Sequence, residues 1–182
     1  LVTVSILVAL LVPDNRIFGN SIDWFNQHVM LSDALRHAMN KEGTLFPTYM
    51  SELMGGVNIY YFSYYGYLRP DVILGALLIH VNMIDIIVGY SIFLMILTSI
   101  SCYLFLRHQN ENKELCLFVS ILVILSTVFF QSHKQIMFVN YMPFLFLALL
   151  SIDYYLEKKD ELTAAYAGDP DADAAAAKET VS

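Results

Sequence analysis

The run Ile84–Leu106 constrains this chain more than any other feature. It is 23 residues long and carries a single charge, Asp85, at its start. A helix needs about 20 predominantly apolar residues to cross the hydrocarbon of a bilayer, so this run can cross with some tilt. Two further runs lie beyond it: Leu115–Phe130, 16 residues without a charge, and Ile136–Ile152, 17 residues interrupted by Asn140 and Pro143. Polar residues at their ends can lie in the interface. Pro143 is expected to kink its helix and free a carbonyl that neighbouring helices can satisfy. Only 15% of the 182 residues are charged, against about 25% in ordinary soluble domains. The expected fold is all-α, a polytopic transmembrane helical bundle.

The remaining segments are read around those runs. Leu1–Val12 is too short to cross and lacks the basic flank of a signal peptide. It reads as the outer part of a truncated first transmembrane helix (1–12), which makes the chain a fragment. Residues 13–70 form an extracytoplasmic loop and 71–156 the transmembrane helices. Val72–Val81 has two readings: the core of a short crossing that begins near Tyr60, or a re-entrant or interfacial segment. If the hydrophobic helices alternate, Arg107, Lys113, Lys158 and Lys159 share one side of the membrane. The positive-inside rule places that side in the cytoplasm, with His133, Lys134 and the 13–70 loop outside.

The loop has the aromatic content of a folded segment. It holds Trp24, Phe25, Phe46 and the cluster Tyr60, Tyr61, Tyr64, Tyr65 and Tyr67, which suits a belt at headgroup depth. Val29–Asn40 reads as an amphipathic interfacial helix with Leu31, Ala34, Leu35 and Ala38 on one face, Asp33 and His37 four apart, and Gly43 as its stop. Gly55-Gly56 with Asn58 marks a tight turn that could let a ligand approach the backbone. Residues 157–182 carry 7 acids and 3 bases, so −4 of the net charge of −7 lies there. From Leu162 the composition becomes Ala- and Asp-rich and foreign to the rest. It is read as a disordered polar tail outside the functional part.

No basic patch points to nucleic acid. Cys102 and Cys116 read as small apolar residues in packed helices, without a zinc spacing or a disulfide framework. Two polar groups near the membrane are candidates for chemistry. The first is Asn20–His28, in which Asp23, flanked by Gln27 and His28, could act as a general base on an acceptor hydroxyl, hold a cation, or simply cap the following helix. The second is Gln131–Gln135, where Lys134 with His133 suits a phosphate at headgroup depth or a snorkelling anchor. Arg69 is open to the same two readings. Nothing resembles a P-loop, a nucleophile elbow or a dinucleotide fingerprint.

Ser21–Gln27, Leu45-Phe46-Pro47, Met54–Tyr60, Phe62–Gly66 and Ser132–Phe144 together resemble the YfhO family of bacterial membrane proteins, over about Ile17 to Leu156 of this sequence. The resemblance implies a GT-C type glycosyltransferase fold with its active site on the outer face of the bacterial cytoplasmic membrane. It implies an enzyme that moves a sugar from a polyprenyl-phosphate carrier to a cell-envelope polymer such as teichoic acid. It further implies Asp23 as the base, because GT-C enzymes carry an acidic residue in the first outer loop. His133 and Lys134 fall where the family often has basic or imidazole side chains. Their role at the carrier phosphate, with Arg69, and the contacts of Gln27 and His28 to substrate are readings from chemistry. This piece of a longer family chain is expected to lack a complete site on its own. No cofactor is indicated, and a divalent metal is compatible with the site without being called for. The rival readings are a lipid or solute transporter or flippase, and a non-catalytic membrane assembly subunit.

Overall fold

The computed structural model describes residues 2–11, 23–51, 55–109, 112–131 and 139–167. It is mostly helical. The elements are α1 (Val2–Leu11), a π-helical turn (Trp24–Val29) running straight into α2 (Met30–Glu42), a two-stranded ribbon of β1 (Tyr49–Met50) and β2 (Val57–Asn58), a 3-10 helix (Ile59–Tyr65), α3 (Pro70–Leu77), α4 (Met83–Gln109), α5 (Lys113–Ile124), α6 (Thr127–Gln131) and α7 (Met142–Ala167). The strands pair antiparallel, Tyr49 opposite Asn58 and Met50 opposite Val57.

Two cores share one helix. The first gathers Trp24, Val29, Leu35, Ala38, Met39, Met50, Ile59, Tyr67 and Val72 around Met83 and Ile87 of α4. The second joins Val4 of α1, Ile124 of α5, Phe129 of α6 and Val139 to Met95 of α4, two to three turns further on. Val88 packs against both. Residues 23–82 therefore form a cap seated on the amino-terminal turns of α4, and the helices after them form a bundle along the rest of it.

Within the bundle, α4 and α7 run parallel. Asn140 Nδ2 donates to Ser91 Oγ at 3.1 Å, and at the far end Gln109 Nε2 donates to Asp153 Oδ2 at 2.7 Å. Between these bonds the rings of Phe105 and Phe146 lie 6.2 Å apart. The chain returns through α5 and α6. Small polar residues line the buried face of α4 (Ser91, Thr98, Ser101) together with Ser120 of α5. Their small size lets backbones approach closely. The Thr98 and Ser120 hydroxyls donate to their own helix, to Leu94 O at 2.7 Å and Leu117 O at 2.8 Å. Cys102 and Cys116 are buried free thiols in the same region.

Several sequence expectations need correction. Among the described residues one helix, α4, is long and apolar enough to cross a membrane. The run Leu115–Phe130 is not one helix: α5 ends at Ile124 and α6 begins at Thr127. At the break Ser126 N bonds Val123 O at 3.2 Å, an i−3 closure that tightens the last turn. Ser126 itself occupies the position before α6, where serine is favoured. Pro143 does not kink α7. It sits in the first turn, where its missing N–H has no partner to lose. Residues 60–81 do not form one continuous helix: the 3-10 helix ends at Gly66 with φ 95°, and α3 is only 8 residues long. Residues 157–167, expected in the disordered tail, continue α7 to Ala167. Their Glu, Lys, Leu and Ala are strong helix formers, so the helix propagates past the apolar part.

The amphipathic helix forms as expected, and Gly43 ends it in the left-handed conformation, φ 64°. Its apolar face, however, is covered by protein. Leu35, Ala38 and Met39 belong to the cap core. Two side chains fasten α2 to α3 and to the loop between α3 and α4. Arg36, itself buried and paired with Asp33 at 2.7 Å, donates to Val81 O at 2.6 Å, and Asn40 donates to Ala76 O at 2.8 Å. Gly75 permits the approach: a Cβ there would lie 2.7 Å from Met83 Sδ and 3.2 Å from Arg36 Cδ.

Candidate functional site

Asp23 opens the helical segment of the cap in helical conformation and makes no side-chain capping bond. The capping role considered for it is therefore not the one it plays. Its Oδ1 instead accepts from Gln27 Nε2 at 3.2 Å, four residues on. The turn between them is a π-helix, a wide turn that recurs at functional sites. Trp24, fully buried, roots this turn in the cap core.

Gln27 is fixed from the other side. Tyr65 Oη donates to Gln27 Oε1 at 2.7 Å. An amide whose oxygen is taken must present its nitrogen, so the Tyr65 hydroxyl determines that Gln27 donates to Asp23. The result is a relay, Tyr65 to Gln27 to Asp23, built from the 3-10 helix and the π turn. The Tyr64 phenol beside Tyr65, followed by desolvation and the Asp23 carboxylate, raises the Tyr65 pKa above the ordinary phenol value. Tyr65 thus stays a donor across the physiological range.

His28 sits edge-on to Tyr65, ring centroids 5.2 Å apart. Burial lowers its pKa, and the Arg69 guanidinium lowers it further, while Asp23 opposes them. It is a neutral imidazole at neutral pH, between a cation and a carboxylate.

Arg69 lies behind this row. Its fork closes on Asp71, Nε to Oδ1 at 2.8 Å and Nη2 to Oδ2 at 2.6 Å, a bidentate geometry of the strongest kind. Asp71 is 0% exposed and the Arg69 side chain 20%. Longer contacts reach Ser32 Oγ at 3.4 Å and Tyr65 O at 3.5 Å. Arg69 is thus a strut committed to Asp71 that also reaches the Tyr65 carbonyl, and the phosphate contact considered for it would have to share the guanidinium with that carboxylate. A small cavity of about 10 Å³ between Ser32, Phe62 and Tyr65 adjoins this strut and has room for about one water.

Asp23, Gln27, His28 and Arg69 thus come together, and His133 and Lys134 lie outside the described residues. Sequence reading missed Tyr65, Asp71 and Ser32. Tyr65 was hidden among five tyrosines. Asp71 offered a signal, since Arg-Pro-Asp fixes a short path between two opposite charges. At Gly56, where a plain turn is the favoured reading and ligand approach the other, the space above the backbone is occupied by protein: a Cβ there would collide with the Tyr49 phenol. A second, apolar groove of about 250 Å³ lies between the end of α2 and α3, lined by Met39, Ile73, Ala76 and Leu77. Among the described residues no group of three or more His, Cys, Asp or Glu is arranged to hold a metal ion. Family models, curated proteins and solved structures were all compared with the chain, and none matches.

Proposed function

We propose that this chain is part of a multi-pass membrane glycosyltransferase of the GT-C type, as its resemblance to the YfhO family implies. It would transfer a sugar from a polyprenyl-phosphate carrier to a cell-envelope polymer such as teichoic acid, on the outer face of the bacterial cytoplasmic membrane. The membrane part of this reading is supported by the exterior of the bundle. Phe93, Ile100 and Leu104 of α4, Leu117, Phe118 and Leu122 of α5, and Phe144, Leu145 and Ile152 of α7 are all exposed. Large apolar side chains exposed along three helices suit contact with lipid. The parallel α4 and α7 with a return between them fit alternating crossings.

The observation that carries the catalytic reading is the Tyr65–Gln27–Asp23 relay. A carboxylate that does not cap its own helix, and is oriented by an amide that is itself tethered, is the arrangement a general base calls for. In the reaction, Asp23 takes the proton of the acceptor hydroxyl as that oxygen attacks the anomeric carbon. The bond from that carbon to the carrier phosphate oxygen breaks with inversion, and polyprenyl phosphate leaves as an anion. Lys134 and His133 stabilise the leaving charge. Neutral His28 donates to or accepts from the sugar without adding charge.

The test is Asp23→Asn in the intact protein, assayed for transfer from a polyprenyl-phosphate sugar in reconstituted vesicles. Loss of about 10²–10⁴-fold is the expected effect of removing a general base; an unchanged rate removes the assignment. One feature, the break at Leu125-Ser126, also suits a transporter, whose helices are interrupted at the binding site. Flux of the lipid-linked sugar across the vesicle without glycosyl product would select that reading.

A further inference from the structure

The 3-10 helix Ile59–Tyr65 divides its aromatic residues sharply. Ile59 is buried in the cap core and Phe62 packs against it. Tyr65 turns inward to Gln27, whereas the other three phenols are exposed, Tyr61 73%, Tyr64 75% and Tyr60 51%. In a 3-10 helix residues three apart eclipse one another, so Tyr61 and Tyr64 share one face. The outward surface contains Asn58, Tyr60, Tyr61, Ser63 and Tyr64, and every one of these side chains carries a hydrogen-bonding group.

That composition argues against a bed in lipid. An interfacial helix lays aliphatic residues into the acyl boundary and sets cations at its rim. Here the aliphatic residue faces inward, and Asn58–Leu68 contains no charged side chain. Most of the exposed aliphatic surface of the cap gathers on Leu74, Leu77, Leu78 and Val81 in and after α3, with Leu68 at the end of the tyrosine stretch and Leu45 and Met30 on other segments. The missing cations also argue against a phosphate ligand, which calls for arginine or lysine.

The platform is stiff. Tyr60 stacks on Tyr67 at 5.6 Å, and Tyr67 stacks on Phe46 at 6.2 Å. The Tyr67 hydroxyl is anchored to Pro47 O at 2.8 Å. Asn58 Oδ1 accepts from Tyr60 N at 2.9 Å and fixes the start of the helix. The platform is also continuous with the relay. The Tyr64 ring lies 4.3 Å from that of Tyr65, which reaches Gln27 and through it Asp23.

We propose that Tyr60, Tyr61 and Tyr64 form a stacking subsite for a neutral pyranose ring, which presents the acceptor hydroxyl of a glycan to Asp23. A pyranose has an apolar C–H face and a hydroxyl rim, and a tyrosine offers a ring face and a hydroxyl in the same arrangement. Tyrosine also supplies large contact area with little side-chain freedom to lose. The inference rests on the glycosyl-transfer reading for its purpose, but saccharide binding can be measured without turnover.

The experiment uses the intact protein in lipid nanodiscs, with maltopentaose and chitotetraose as probes and saturation-transfer NMR as the readout. The expected result is saturation of the ring C–H protons of at least one oligosaccharide. Tyr64→Ala and Tyr61→Ala should each weaken that binding about tenfold, the scale of one aromatic contact, while Tyr64→Trp retains it. Both alanine changes lie on exposed side chains, and an unaltered circular dichroism spectrum certifies the fold. No saturation of either probe, or equal binding by all variants, overturns the subsite. A spin label at Tyr61→Cys that is reached by oxygen rather than by a water-soluble nickel chelate places the face in lipid, and overturns it too. Tyrosine-dependent binding together with Asp23-independent transfer would keep the subsite and remove the base.

Discussion

The buried pair of Arg69 and Asp71 gives an asymmetric prediction. Asp71 is completely enclosed, whereas the Arg69 side chain keeps a fifth of its surface in contact with solvent. Breaking a buried pair by deleting one partner costs about 3–5 kcal/mol, because the other charge is left uncompensated. The stranded partner differs between the two deletions. In Asp71→Leu the guanidinium can swing out to solvent and retains its weak contacts to Ser32 and Tyr65, so the loss belongs at or below the low end of that range. In Arg69→Leu the carboxylate is trapped without a donor, and the loss belongs at the high end. A gap of about 2 kcal/mol is expected, and since 1 kcal/mol shifts Tm by about 2–4 °C in a chain of this size, Arg69→Leu should melt about 4–8 °C below Asp71→Leu. The double replacement should recover most of the stability, as apolar substitution of a whole pair often does. Thermal unfolding of the detergent-solubilised protein, followed by circular dichroism, measures all three. Equal losses, a reversed order, or a double variant as unstable as the sum of the singles would refute the reasoning.

Gly66→Ala should act on the same strut: the left-handed backbone at φ 95° strains any side chain, and the new Cβ would lie 2.5 Å from Arg69 Cδ, which the ion pair holds in place. A loss above about 2 kcal/mol is expected from backbone strain and displacement together, read as a fall in melting temperature with faster proteolysis of the cap. Tyr67→Phe leaves Pro47 O without its buried donor and should cost about 1–3 kcal/mol by denaturant titration. Burial, then Tyr60, raises the Tyr67 pKa to about 12, so this group favours the folded state less as pH climbs from 10, where the unfolded phenol ionises first, through the folded value. Ultraviolet titration should lose one late-ionising phenol in the variant. His28 works in the opposite range. Its folded pKa is depressed below 6.5, so the unfolded chain takes up the proton first and stability falls as pH drops through 6.5, levelling off below the folded value. His28→Gln should flatten that part of a pH–stability profile.

Much of the fold was legible where a single physical cause dominates. The long helix α4 follows from its unbroken apolar run, and the end of α2 from Gly43. The breaks were not legible. Leu115–Phe130 reads as one segment because hydropathy does not register the i−3 closure at Ser126. Pro143 reads as a kink because its meaning depends on where the helix starts, and apolar residues on both sides conceal that start. At the site, Asp23, Gln27 and His28 were visible from their closeness in sequence. Tyr65 was not: it meets Gln27 across 38 residues, a pairing set by the packing of the 3-10 helix and not by any local pattern. Arg69 was visible as a charge, but the use made of it depends on Asp71 being sealed from solvent.

Helix α4 contributes to both hydrophobic clusters, Met83 and Ile87 to one and Met95 to the other. A rigid rod anchored in two places behaves as a lever. Any tilt of the bundle end must swing the opposite end, and with it the loop that Arg36 grips at Val81. The cap that carries Asp23 and the bundle beneath it therefore cannot slide independently along α4.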